Sequence, residues 1–340
     1  MNAMITLTPM KMLKWSSLLG MVILSGCSKE KTDNAVDNWS ATPVVSEMSK
    51  FLASNAIQAD SLTIKSTGGG TVTNNEISIN IPANAFANAD GSIFSGNALV
   101  KLQTVRSVKD MIYSGITTVS DKGLLESGGM LYISAYDSER HPLKLNKGIS
   151  LVGNFPLAPY TFGFPSVFKG QPATANANKI TWTAWGTISP DGVITGPVAT
   201  VFPNNNGNGA GPVLVTGIDA IFTWTNLDSY ITSTSPLTDI TVTLPDGFSN
   251  LNTECCFNYA GVNSCSYLYA NTSLKAFSTK GSSYKVIKGK AANIIVLAKR
   301  NGLLYAQVMA IAAIGDDQAV NANNLKETTA DGIKLILAKL

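Results

Sequence analysis

Apolar and polar residues alternate in short runs from residue 60 onward, and this alternation restricts the fold more than any other feature of the chain. Ile77, Ile79 and Ile81 are separated by polar residues, and residues 131–136 and 240–244 show the same period of two. Successive side chains of a strand point to opposite faces, so this period is typical of strands with one buried face. Glycine and asparagine clusters separate the runs, as turns separate short strands. The sequence therefore predicts an all-β fold.

The first 27 residues have the three-part pattern of a signal peptide. Lys11 and Lys14 precede an apolar run over residues 15–24. That run is about half the ~20 residues that a helix needs to cross a bilayer, so we predict export and cleavage rather than a membrane span. The tetrapeptide Leu-Ser-Gly-Cys over residues 24–27 resembles the lipobox of bacterial lipoproteins. An ordinary signal peptide with an incidental cysteine is the alternative.

The lipobox resemblance implies cleavage before Cys27 and lipid attached to that cysteine. Several acyl chains give stable anchoring where a single chain binds only marginally. Ser28 stands where inner-membrane lipoproteins of this class usually carry an aspartate. The expected location is therefore the outer membrane, with the leaflet left open. Only 14% of residues are charged and the net charge is +3, which gives no basic field for nucleic acid.

The remaining chain, about 310 residues, is long enough for two ordinary domains. Apolar residues at near-helical spacing over 44–57 predict one short helix, and Asn301-Gly302 predicts a two-residue hairpin turn. Residues 333–337 predict a closing strand. The predicted layout is a signal peptide (1–26), a lipidated tether with the short helix (27–58), a first β-sandwich domain (59–154), an irregular connection with short strands (155–212) and a C-terminal β-sandwich domain (213–340).

Several segments resemble ZU5-type β-domains. Residues 69–72 (GGTV) and 79–86 (INIPANAF), followed by 90–91 and 96–100, carry that resemblance. Residues 124–133 and 221–230 resemble stretches that recur in Bacteroidota-type surface lipoproteins with this domain. The resemblance implies a non-catalytic β-sandwich used for interaction over residues 59–154. It transfers no site residues, because it carries no catalytic motif.

Three further cysteines lie close together, at Cys255, Cys256 and Cys265. An oxidising compartment favours a disulfide, and adjacent cysteines pair only with strain, so the bridge should join Cys265 to Cys255 or Cys256. We prefer Cys256–Cys265, whose loop of about ten residues would stabilise the fold by roughly 2–3 kcal/mol. A metal site is the alternative, but three cysteines without a nearby histidine make a poor ligand set, so no metal is expected.

Catalytic motifs are missing from the sequence. His141 is the single histidine and precedes a proline in a predicted turn, and no phosphate loop, nucleophile elbow or zinc-protease motif is found. We therefore predict no catalytic residue and no cofactor. Paired carboxylates from Glu126, Asp137, Asp219 or Asp228 would be the basis of a glycosidase alternative.

Aromatic residues are the candidate ligand-binding groups. Trp182, Trp185 and Trp224 could form a stacking platform for sugars, and strand packing in the core is the alternative for these rings. The predicted function is a non-enzymatic cell-envelope lipoprotein that binds glycan or an envelope protein. The rival hypotheses are a polysaccharide-degrading glycosidase and a purely structural envelope component.

Overall fold

A computed structural model describes residues 39–40, 45–74, 77–146, 150–156, 166–173, 176–184, 187–188, 194–195, 199–201, 210–216, 224–271, 275–282 and 284–340. The signal-peptide, lipidation and tether predictions up to residue 38, Cys27 included, lie outside these ranges. Strands dominate, which confirms the all-β class. In chain order they are β1 (Trp39–Ser40), β2 (Asp60–Lys65), β3 (Gly70–Thr73), β4 (Ser78–Ile81), β5 (Phe86–Ala87), β6 (Asn97–Val105), β7 (Val119–Ser120), β8 (Gly123–Tyr136), β9 (Lys144–Leu145), β10 (Ser150–Pro156), β11 (Ser166–Ala173), β12 (Asn176–Ala184), β13 (Thr187–Ile188), β14 (Ile194–Thr195), β15 (Ala199–Val201), β16 (Ala210–Thr216), β17 (Trp224–Tyr230), β18 (Leu237–Thr238), β19 (Ile240–Thr243), β20 (Thr253–Tyr259), β21 (Ser266–Tyr267), β22 (Tyr269–Asn271), β23 (Ala276–Ser278), β24 (Val286–Ile287), β25 (Ala292–Arg300), β26 (Leu303–Ile311), β27 (Gln318–Asn321) and β28 (Lys326–Thr328).

Two seven-stranded sheets form the N-terminal sandwich. One has the order β17-β11-β12-β7-β8-β6-β2 and the other has the order β13-β14-β15-β16-β10-β4-β3. Alternate side chains of β4, including Ile79 and Ile81, meet Val100, Leu102 and Ile133 of the facing sheet in one core cluster. The period of two therefore predicted the buried face correctly, and β4 ends at the residue before a proline, as expected from the missing N–H.

A second pair of sheets forms the C-terminal sandwich. The orders are β21-β20-β25-β26-β28 and β1-β22-β23-β19-β27. Val242 and Phe277 of the second sheet belong to the same core cluster as Phe257 and Ile294 of the first. β25 and β26 form the predicted hairpin: Asn301 and Gly302 have φ of 51° and 82°, which is the combination that a type I′ turn needs.

Strands from different predicted domains pair with one another. Residues Asn38–Leu340 form one compact unit. β17, from the predicted C-terminal domain, pairs antiparallel with β8 and also with β11. β11 and β12 come from the segment predicted to be an irregular connection. β17 therefore belongs to a sheet of the N-terminal sandwich, although it follows the predicted boundary between residues 212 and 213.

The described residues contain three short helices, which are α1 (Glu47–Ser54), α2 (Val108–Ser114) and α3 (Ala330–Leu337). α1 begins after Ser46, whose Oγ accepts the N–H of Ser49 at 2.8 Å. α2 was not predicted; its Ser107 and Asp110 form a capping box. Side chains from all three helices pack with Trp182 and Ile295 in a third core cluster.

The closing strand predicted at residues 333–337 is wrong, because this segment lies in α3. Ile333 and Leu337 are its buried residues, and a spacing of four places them on one face of a helix. Thr329 caps the helix by accepting the N–H of Gly332 at 3.0 Å. In the part of the chain that the structure describes, no helix has the length and apolar character needed to cross a membrane.

Candidate functional site

A surface cleft of about 360 Å³ lies between the β7–β8 turn and the strands β18, β20 and β24. We call it the lysine cleft and define it by Lys122, Leu124, Ile231, Leu237, Lys285 and Ile287, together with two tyrosines of its floor. Its walls come from four separate parts of the chain. The pairing of β18 with β24, which places Leu237 opposite Ile287, builds one of these walls.

The walls of the lysine cleft are aliphatic. Leu124 and Ile287 are buried and fix the wall in the core of the C-terminal sandwich, whereas Ile231 is half-buried. Leu237 stands at the rim with 59% of its surface exposed. An exposed leucine beside a concave aliphatic wall is a natural contact for a ligand, since covering it removes apolar surface from water.

Two buried tyrosines, Tyr259 and Tyr284, form the floor. The Tyr259 hydroxyl accepts the backbone N–H of Ile287 at 2.7 Å, and the Tyr284 hydroxyl lies 2.7 Å from the Ser266 Oγ. Burial raises the pKa of Tyr259 to about 12 and also raises the pKa of Tyr284. Both hydroxyls are therefore neutral at physiological pH and engaged in holding the floor.

Two lysines, Lys122 and Lys285, line the cleft, and their ammonium groups have different neighbours. Lys285 Nζ lies 2.7 Å from Asp239 Oδ2, and this contact raises the pKa of Lys285. Asp239 is buried and also accepts a hydrogen bond from Thr279 Oγ1 at 2.9 Å. Lys122 is exposed, with Nζ 6.0 Å from the centroid of the Tyr230 ring, and makes no ion pair with any described residue. Lys122 is therefore the charge that is open to a ligand.

A buried acidic cluster lies between β8 and β17, the strands that hold residues 124–133 and 224–230 of the two recurrent stretches noted in the sequence. Asp228 faces Ser127 across the pair and is completely buried. Asn226 Nδ2 donates to Asp228 Oδ2, and Ser127 Oγ lies 3.0 Å from Asn226 Oδ1. Burial, with a smaller effect from the charge of Glu126, raises the pKa of Asp228 well above its usual value.

The acidic cluster is tied to the C-terminal sandwich by Asn263. Its Nδ2 donates to the backbone carbonyl oxygens of Arg106 at 2.9 Å and Ser127 at 2.7 Å, and its backbone carbonyl accepts the N–H of Ser127 at 2.8 Å. Glu126 is also buried, and neither Glu126 nor Asp228 lines the lysine cleft. These contacts make the cluster a polar junction inside the fold.

The three tryptophans proposed as a sugar platform have different positions. Trp182 is 0% exposed, and its Nε1 donates to the Thr117 carbonyl at 2.5 Å, so its ring belongs to the core and offers no face to a ligand. Trp224 is half-buried, with its ring centroid 5.2 Å from that of Tyr132. Trp185 lies outside the described residues. Neither Trp182 nor Trp224 lines the lysine cleft.

All three cysteines of the C-terminal sandwich are buried free thiols, so the predicted Cys256–Cys265 disulfide is not formed in the structure. The two preferred partners nevertheless lie within hydrogen-bonding contact of each other. Cys255 belongs to the core cluster on the opposite face of β20 and is the worse partner for Cys265. Burial raises the pKa of Cys255 and of Cys256, which disfavours the reactive thiolate.

The remaining catalytic candidates from the sequence are His141, Asp137 and Asp219. His141 is exposed and lies in a turn, with Nδ1 3.0 Å from Asp137 Oδ2. Asp219 lies outside the described residues. Among the described residues, no group of three or more histidine, cysteine, aspartate or glutamate side chains is arranged to hold a metal ion.

No protein-family model matches the chain, and no curated protein matches it. Sequence reasoning missed Lys122, Lys285 and Leu237, the residues that make the cleft accessible and charged. No local pattern distinguishes them, because the cleft exists only after four distant segments have folded together.

Proposed function

We propose that this chain is a non-enzymatic cell-envelope lipoprotein, anchored through lipid on Cys27, that binds a partner of the envelope, either protein or glycan. The observation that carries the proposal is the lysine cleft, which combines an aliphatic wall, an exposed leucine and an unpaired ammonium group on a rigid sheet framework. Sites of this kind are usually preformed, with apolar walls and a few polar groups that give specificity.

The chemistry of the lining supports binding rather than turnover. Both floor tyrosines use their hydroxyls to hold neighbouring strands, and Lys285 is held by Asp239. These groups are fixed in place, as the polar groups of a recognition surface need to be. The ZU5-like and lipobox resemblances point to the same class of protein.

Anchoring is tested by labelling growing cells with an alkyne analogue of palmitate. We expect label on the full chain and none on a Cys27→Ser variant that is expressed at the same level. Label that persists in the variant would contradict the anchoring part of the proposal.

Binding is tested with the purified full chain in lipid nanodiscs, by thermal shift against a panel of envelope polysaccharides and by chemical crosslinking in cells. A saturable rise in Tm with one ligand, or a single crosslinked partner, is expected. Leu237→Asp should abolish either signal, because it places a charge at the rim of the cleft. Leu251→Asp is the matched control, since Leu251 is 62% exposed and does not line the cleft. Equal effects of the two substitutions, or no ligand and no partner, would contradict the proposal.

A further inference from the structure

The lysine cleft has a composition that limits what can occupy it. Its volume of about 360 Å³ is near the lower end for ligand sites, which are about 300–1,000 Å³. Four of the residues that define it are leucine or isoleucine, and both tyrosine hydroxyls of the floor are already engaged. The deep part of an occupant is therefore an aliphatic group with few polar atoms.

The charges around the cleft favour a single negative charge at its mouth. Lys122 has no ion-pair partner among the residues that the structure describes, and the Lys285 ammonium has three N–H donors, of which Asp239 takes one. Asp121 adjoins Lys122, and the charge of Asp317 acts on Lys285. Lys122 therefore attracts a single carboxylate by direct contact, whereas the neighbouring carboxylates disfavour a phosphate dianion.

The exposure of the cleft indicates how the occupant is presented. Small-molecule sites usually bury 70–90% or more of the ligand surface. Here Leu237 and both lysine side chains remain open to solvent at the rim. An extended chain can place one side chain in the aliphatic part while its neighbours lie across this rim, in contact with the exposed leucine and with Lys122.

We propose that the lysine cleft binds an acidic-aliphatic peptide segment of a partner protein, with a leucine-sized side chain against Leu124, Ile231 and Ile287 and an adjacent carboxylate at Lys122. This inference rests on the proposed binding function and chooses a protein over a glycan as the partner. Lys122 supplies the charge preference, and the aliphatic wall supplies the preference for side-chain size.

The test uses fluorescence polarisation with the full chain in phosphatidylcholine nanodiscs and empty nanodiscs as the blank. The probe is a fluorescein-labelled peptide of sequence GLDGLDGLDG. GLNGLNGLNG removes its charge and GADGADGADG removes its aliphatic groups. We expect saturable binding of the probe and at least about tenfold weaker binding of each comparison peptide.

Variants of the protein then assign the contacts. Lys122→Gln should weaken binding of the probe about three- to fivefold, as expected for one partly exposed charge pair, and should reduce its salt dependence. Lys326→Gln, an exposed lysine on β28, should leave the Kd unchanged. Leu237→Asp should remove binding.

Each contrary outcome has a defined meaning. Equal binding of the neutral peptide, or equal effects of Lys122→Gln and Lys326→Gln, would overturn the inference. Competition by hexanoate as strong as that of the unlabelled probe would assign the cleft to free carboxylic acids and overturn the choice of a peptide. Failure of the probe together with a Leu237-dependent response to a polysaccharide would overturn this inference and leave the proposed function standing. Failure of every ligand and of crosslinking would contradict both.

Discussion

Replacing Asp228 with asparagine tests whether the buried acidic cluster makes the stability of this protein depend on pH. Asp228 is completely buried, and its Oδ1 has no hydrogen-bond partner among the described residues. The side-chain carbonyl of Asp228→Asn can still accept the hydrogen bond from Asn226 Nδ2. The substitution therefore removes the titratable proton and changes little else.

The sign and size of the effect follow from proton linkage. The pKa of Asp228 is raised in the folded protein, so between its ordinary value near 3.8 and its folded value the unfolded chain holds fewer protons than the native one. The protonated side chain therefore contributes stability at pH values below this window. That contribution is lost as the pH rises through the window, at up to about 1.4 kcal/mol per pH unit. We therefore expect the free energy of unfolding of Asp228→Asn to rise relative to that of wild type as the pH increases through this window.

Urea unfolding at pH 5, 6, 7 and 8, followed by far-UV circular dichroism, measures this difference. Other titrating groups are common to both proteins and cancel when the two profiles are subtracted. Asp246→Asn is the control, because this side chain is fully exposed and its variant should follow the wild-type profile. Parallel profiles for wild type and Asp228→Asn would refute the reasoning.

Three further substitutions test packing and capping by urea unfolding. Gly170→Ala should lower the free energy of unfolding by about 1–3 kcal/mol, because the new Cβ would lie 2.7 Å from Ile180 Cγ2; unchanged stability would contradict the packing. Trp182→Phe should cost about 2 kcal/mol and alter the near-UV circular dichroism, since it leaves the Thr117 carbonyl without its indole donor; a fully wild-type spectrum and midpoint would argue against a core position. Ser107→Ala should cost about 1 kcal/mol, and an effect below about 0.3 kcal/mol would mean that the capping box contributes little.

Local patterns predicted much of the fold. The isoleucines of β4 alternate as expected and are buried, a short helix forms within residues 44–57, and Asn301-Gly302 makes the β25–β26 turn. Each of these features depends on interactions between residues close in sequence, such as a cap or a two-residue turn. The segment 333–337 was misread because its isoleucines and leucines suit a strand as well as a helix. The spacing of four between Ile333 and Leu337 and the cap at Thr329 are both typical of a helix.

Local sequence patterns did not predict which distant strands pair with each other. The boundary predicted at residues 212–213 failed to anticipate that β17 pairs with β8, because nothing in either strand identifies its partner. The same limit applies to the candidate site. Trp182 is of a residue type that can stack on sugars. Its indole N–H, however, donates to the Thr117 carbonyl, and its ring packs in the core with side chains of the helices. The cleft residues Lys122 and Leu237 become neighbours of one surface only through tertiary structure.

The pairing of β8 with β17 also has a consequence for the nascent chain. Leu125 in β8 lies opposite Tyr230 in β17, roughly a hundred residues later, and β8 contributes to all three core clusters. At synthesis rates of roughly 5–20 residues per second, β17 is made about 5–20 s after β8. Until Tyr230 has been made, the edge of β8 that pairs with β17 has no partner, so an N-terminal fragment ending before β17 should not complete this sheet.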